Sequence, residues 1–141
     1  MAYIGVDLGG TKVHIAKIVD QSCEKSVRSL IPSQGTEEEV LDVIKDAIAK
    51  VIDQDAVGIG IGVPSVVDQQ LGIVYDVQNI PSWKKVYLKD ILEAHFKIPV
   101  HINNDANCFS LGELHFGVGR DFDSFVGLSI GTGIAGGIII N

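Results

Sequence analysis

Apolar residues along this chain follow two periods. Alternation marks residues 4–8 (IGVDL) and 13–19 (VHIAKIV) as two strands joined by a glycine turn, and residues 27–31 as a third antiparallel strand that ends at Pro32. Helical spacing takes over at Val40, Val43, Ile44, Ala47, Ile48 and Val51. Thr36 opens that helix with Glu39 three residues on, a capping box, and three successive glutamates suit the positive end of the helix dipole. Residues 57–63 (VGIGIGV) predict a strand that is apolar on both faces, and Pro64 stops it. Beyond it the pattern predicts a short hairpin arm at 72–75, a loop over 79–85, a helix over 88–96, a strand over 100–103, a helix over 106–116 and a strand over 125–130. A last strand, GIIIN at 137–141, is cut off at Asn141.

Three strands followed by helix, strand, helix, strand, helix describe an antiparallel meander extended by parallel crossovers. The expected fold is α/β of the ribonuclease-H-like (actin-like ATPase) type, a mixed five-stranded sheet with flanking helices. Such folds place phosphates between β-hairpins. Laying residues 4–18 over 126–140 aligns Gly5 with Gly127 and Gly9 with Gly131, and both copies read strand, glycine turn, strand. The match fits an internal duplication, and it also fits two unrelated glycine hairpins flanked by aliphatics.

Composition narrows the functional classes. The 141 residues are 46% hydrophobic, enough for a substantial core, with a net charge of −7. An acidic chain is a poor partner for nucleic acid. No apolar run is long enough to span a membrane. Asp7 interrupts the opening strand, so a secretory signal is not expected. Cys23 and Cys108 lie far apart and outside any C-x-x-C, which suits reduced thiols. A soluble cytoplasmic protein is the expectation.

Three stretches carry candidate chemistry. In DLGGTK (7–12), glycines let backbone N–H groups approach an anion, and Thr11 and Lys12 add donors. Asp7 would repel phosphate and makes sense as a holder of Mg²⁺, through water. The alternative is a tight hairpin turn with a solvated Asp and Lys. GTGIAGG (131–137) matches G-x-G-x-x-G formally, but a strand rather than a helix follows, so it reads as a second glycine hairpin. In INNDANCFSLGE (102–113), Asp105 sits between a strand end and a helix start. It can be an N-cap that accepts from Asn107 or Cys108, or a general base that substrate can reach. Asn103 and Asn104 before it offer donors and acceptors for a polyol.

DLGGTK (7–12), GVPSVVD (62–68), NIPSW (79–83), NNDANCFSLGE (103–113) and LSIGTGIAGG (128–137) occur in the order found in the ROK family of repressors, open reading frames and sugar kinases. The chain resembles that family from Ile4 to its last residue. The resemblance implies ATP-dependent phosphorylation of a hexose or N-acetylhexosamine hydroxyl. Asp105 then matches the catalytic base, and Asn104 and Asn79 match sugar-binding positions. Asp7, Gly9, Gly10, Thr11 and Lys12 match the first phosphate motif, with Mg²⁺ near Asp7, and Gly131, Thr132 and Gly133 match the second.

Two departures qualify the resemblance. Ala135 stands where the family usually has glycine, a costly change only if that position needs positive φ. Family kinases also continue with a Glu-x-Gly-His sugar motif, a cysteine-rich zinc site and an adenine pocket, so any zinc belongs to that missing part. His14, His95, His101 and His115 share no ligand-like spacing. The expectation is therefore an N-terminal lobe over residues 1–120 and the first hairpin of a second, truncated lobe over 121–141. On its own it should be inactive and should self-associate, and a homo-oligomer is expected. The alternative, the sugar-sensing domain of a ROK-type transcriptional repressor, would carry a helix-turn-helix ahead of the first strand, where only three residues stand here.

Overall fold

The computed structural model describes residues 1–131 and 133–140; Thr132, assigned above to the second phosphate motif, lies outside the described residues. Strands β1 (Ala2–Leu8), β2 (Lys12–Val19) and β3 (Ser22–Leu30) form an antiparallel meander, followed by helix α1 (Glu37–Ala49) and strand β4 (Ala56–Val63). Short strands β5 (Val66–Asp68), β6 (Ile73–Tyr75) and β7 (Lys85–Val86) form a small sheet of their own. Then come α2 (Leu88–Phe96), β8 (Val100–Asn104), α3 (Asp105–Phe116), a 3₁₀ turn at Val118–Asp121, and the hairpin of β9 (Phe125–Ile130) and β10 (Ile134–Ile139). The main sheet has the order β3-β2-β1-β4-β8, with β4 parallel to both β1 and β8. This is the expected ribonuclease-H-like arrangement.

Alternation decides which face of the sheet is buried. Ile4, Val6 and Leu8 of β1, Val13 and Ile15 of β2, and Ile59, Ile61 and Val63 of β4 pack in one core with Val40, Ile44 and Ile48 of α1. Each such side chain contributes about 1.5–3 kcal/mol when fully buried. The capping box forms as its spacing predicts: Glu39 N donates to Thr36 Oγ1 at 3.2 Å, and Thr36 N donates to Glu39 Oε2 at 2.8 Å. Trp83 and Ile80, within the predicted loop, are completely buried and join the core through turns closed by Ile80 N to Val77 O and Trp83 N to Ile80 O.

Several elements differ from the pattern: β5 and β7 have no counterpart in it, and β10 begins at Ile134 rather than at residue 137. β3 begins at Ser22 rather than residue 27, after a two-residue turn in which Asp20 and Gln21 both have positive φ (46° and 64°). That conformation suits the right-handed twist of the flanking strands. β4 is not buried on both faces, because Val57 is 40% exposed and Gly60 is exposed too. Gly60 belongs to the sheet face opposite α1, where Gly5, Ala16 and His101 are small or exposed and leave an open trough.

Lys17, 6% exposed, places its ammonium 2.5 Å from Asp53 and 2.6 Å from Glu24, tying β2 to the start of β3 and to the segment after α1. The hydrogen bond from Lys17 holds the Asp53 carboxyl below its usual value of 3.8. A depressed carboxylate contributes stability that is present above its unfolded value and lost as pH falls through the folded one. The melting temperature of Asp53→Asn should therefore fall less than that of the wild type on acidification below about pH 4. Parallel acid-side slopes would show that the pair adds nothing.

Candidate active site

The site grows from the C-terminal ends of β1 and β8, the two strands that flank β4 in parallel. β1 runs into the turn at residues 9–12, closed by Gly9 N donating to Lys12 O at 2.9 Å. Neither Gly9 nor Gly10 has positive φ, so their glycines answer to space rather than to backbone strain. A methyl at Gly10 would lie 2.6 Å from Asn79 Cβ and 2.7 Å from Asn79 Nδ2. The first glycine turn is thus packed directly on Asn79, and the two motifs are one surface.

β8 ends at Asn104, and α3 starts at Asp105. The cap is Asn104: its Oδ1 accepts from Ala106 N at 2.9 Å and from Asn107 N at 3.4 Å, while its Nδ2 donates to Ser65 O at 3.3 Å. The capping alternative for Asp105 is therefore corrected. Among the described residues Asp105 accepts from the adjacent Ala106 N alone, at 2.8 Å, and it is half-buried on the wall of a cleft. Asn104 satisfies the helix end so that its neighbour's carboxylate need not.

The β9–β10 turn reaches the same cleft. Gly131 N donates to Gly133 O at 2.9 Å, and a methyl on either glycine would meet nothing within 4 Å. The hairpin is seated on α3 by Ser110 Oγ, which donates to Gly137 O at 3.1 Å. Ala135 pairs with Ser129 in regular strand and is not among the residues with positive φ, so the departure from glycine costs no backbone strain.

A cleft of about 1180 Å³ results, and Gly9, Gly10, Asn104, Asp105, Gly131 and Gly133 all line it. Asp7 lines an adjoining cleft of about 560 Å³ with His14 and Cys108. Thr11 and Lys12 are exposed beside the first turn, outside both linings. Burial pushes the Cys108 thiol up, and the Asp105 and Asp7 carboxylates push it the same way. A thiol pushed in that direction is a weaker source of thiolate. Among the described residues no group of three or more His, Cys, Asp or Glu is placed to hold a metal alone. A lone Asp7 is still a fitting ligand for Mg²⁺, which keeps several waters and takes substrate phosphate oxygens besides one or two carboxylates. No helix among the described residues is long and apolar enough to cross a membrane.

Sequence reasoning missed Gln69. It lines both clefts, and its Nε2 donates to Asn103 Oδ1 at 2.9 Å. The available signal was Asp68, whose Oδ1 accepts from Gln70 N and Leu71 N and shapes the turn that presents Gln69.

Sheet order, paired glycine turns and an acidic helix start define a lobe of the actin-like ATPase class. Residues 3–141 match the model of the ROK family, and the chain belongs to that family. The glucokinase of Thermotoga maritima is 40% identical over 139 residues, which cover 96% of this chain and 44% of that protein. The N-acetyl-D-glucosamine kinase of Aliivibrio fischeri is 35% identical over 142 residues, 99% of this chain and 46% of that protein. The crystal structure of a ROK family glucokinase from Streptomyces griseus in complex with glucose and AMPPNP superposes with a TM-score of 0.89 at 34% identity, over 99% of this chain and 45% of that one. The chain spans a little under half the length of these relatives.

Proposed function

We propose that this chain is the catalytic N-terminal part of an ATP-dependent sugar kinase that transfers the γ-phosphoryl group of ATP to a hydroxyl of a hexose or N-acetylhexosamine. One observation carries the reading: a single cleft holds both glycine turns and the Asp105 carboxylate. Relatives point the same way, since the Streptomyces griseus enzyme holds glucose and an ATP analogue.

Each part has a role that its chemistry permits. Asp105 accepts the proton of the attacking hydroxyl. Gly9 N and Gly131 N close their own turns, so the other backbone N–H groups of the two glycine turns would meet the β- and γ-phosphates, with Thr11, Lys12 and Thr132 adding donors. Asn79 and Asn104 hold sugar hydroxyls. Asp7 is the residue that would hold Mg²⁺, through water, and the chemistry supplied there would be neutralisation of charge on the phosphate oxygens. Residues 121–141, whose strands form a sheet separate from the main one, begin the second lobe. Phosphoryl transfer depends on positioning, so turnover requires groups beyond these residues.

A coupled ADP-release assay of the full-length protein with ATP, Mg²⁺ and a panel of glucose, fructose, N-acetylglucosamine and N-acetylmannosamine tests this. Sugar-dependent turnover of about 1–100 s⁻¹ on at least one is expected. No sugar-dependent ADP release would defeat the reading. Within the same assay, Asp7→Asn should raise the Mg²⁺ concentration needed for half-maximal rate by about tenfold while moving the sugar KM little. An unchanged Mg²⁺ profile would leave Asp7 a structural residue at the strand end.

A further inference from the structure

The two clefts meet at one side-chain contact. Gln69 and Asn103 line both, so the hydrogen bond between them forms the bar that separates the Asp7 side from the Asp105 side. Asn103 Oδ1 accepts from Gln69 Nε2 at 2.9 Å, from Asn104 N at 2.8 Å and from Asn107 Nδ2 at 3.1 Å. A carboxamide oxygen has two lone pairs, so three donors crowd one acceptor. Asn104 N is fixed where β8 meets α3, which leaves the two carboxamide donors as the ones able to turn away.

Gln69 is the better placed of the two. It is exposed, it stands on the turn after β5 that Asp68 shapes, and its Nε2 carries two N–H groups. Asn103 takes one of them and so fixes the plane of the carboxamide. The second N–H has no acceptor among the described residues. A second tie between the same parts runs from Asn104 Nδ2 to Ser65 O at 3.3 Å, so the arm carrying Gln69 is anchored to the residue preceding Asp105.

We propose that Gln69 is a substrate-positioning residue: held by Asn103, it latches the β5–β6 arm beside Asp105 and offers its second N–H to an oxygen of the bound sugar. The proposal rests on the sugar-kinase reading. Loss of one such bond is worth about fivefold to tenfold in affinity.

Calorimetric titration of D-glucose into the full-length protein, with turnover measured in parallel, tests it. Gln69→Leu should weaken glucose binding about fivefold to tenfold with kcat within about threefold and an unshifted melting temperature. Gln69→Lys, which restores a donor, should recover most of the affinity. Asn103→Ala should weaken binding comparably, and the double variant should add little, because the two residues act as one unit. A glucose Kd unchanged in Gln69→Leu, equal losses in the Leu and Lys variants, or additive single losses would each overturn the latch. Absence of glucose binding by the wild type would overturn it as well. Binding that shows the expected pattern without turnover would support the latch while contradicting the kinase reading.

Discussion

Asp105→Ala is expected to lower kcat at least about 10²-fold in the full-length protein while sugar binding remains measurable. The structure sharpens this expectation by separating two roles that adjacent residues could have shared. Both residues line the cleft, but Asn104 accepts from Ala106 N and Asn107 N and therefore caps α3, a task that Asp105 does not carry. Asn104→Ala should accordingly lower stability by about 1 kcal/mol, as loss of an N-cap does. Asp105→Ala should leave the melting temperature nearly unchanged. Steady-state kinetics and thermal melts on the two variants check both halves. A near-normal kcat with an early melt in Asp105→Ala would return that residue to a structural role.

The second large effect is expected at Gly137. Gly127 and Gly137 are cross-strand partners on the face of the hairpin that meets α3. A methyl on either would collide with Ser110 Oγ, and at Gly137 it would also lie 2.5 Å from the backbone oxygen of Ala106. Backbone atoms of a helix cannot step aside as a flexible side chain can. Gly137→Ala should therefore destabilise by about 1–3 kcal/mol, the usual range for overpacking. Because the hairpin carries Gly131 and Gly133 into the cleft, lifting it from α3 should also weaken ATP more than sugar. Gly60→Ala is the matched control, since a methyl there meets nothing within 4 Å. It should shift stability by no more than about 0.5 kcal/mol. Equal melts for the two variants would show that the hairpin is not seated as described.

What was legible in the sequence is what local physics determines. The capping box at Thr36 and Glu39 needs only a spacing, and it forms as read. The sheet order follows from the β-β-β-α-β-α-β run, because parallel crossovers leave few arrangements. The first half of β3 was illegible because SCEKS is polar; Ser22, Cys23, Lys25 and Ser26 pair with β2 around a bulge at Glu24, and all five residues stay exposed. The turn before it was equally hidden, since Asp20 and Gln21 adopt positive φ without a glycine to announce it. At the site, the three motifs were visible as strings, but their convergence on one cleft depends on β1, α3 and the second hairpin meeting in space. The contact of Gly10 with Asn79 and the bond of Gln69 to Asn103 span 69 and 34 residues, and no periodicity reports such distances.

Transfer of labelled phosphoryl from [γ-³²P]ATP, followed in the full-length protein with and without hexose, tests the central claim most directly. Label is expected in a sugar phosphate, formed only when hexose and Mg²⁺ are both present, and lost with Asp105→Ala. Label appearing in inorganic phosphate at a rate indifferent to every hexose would contradict it.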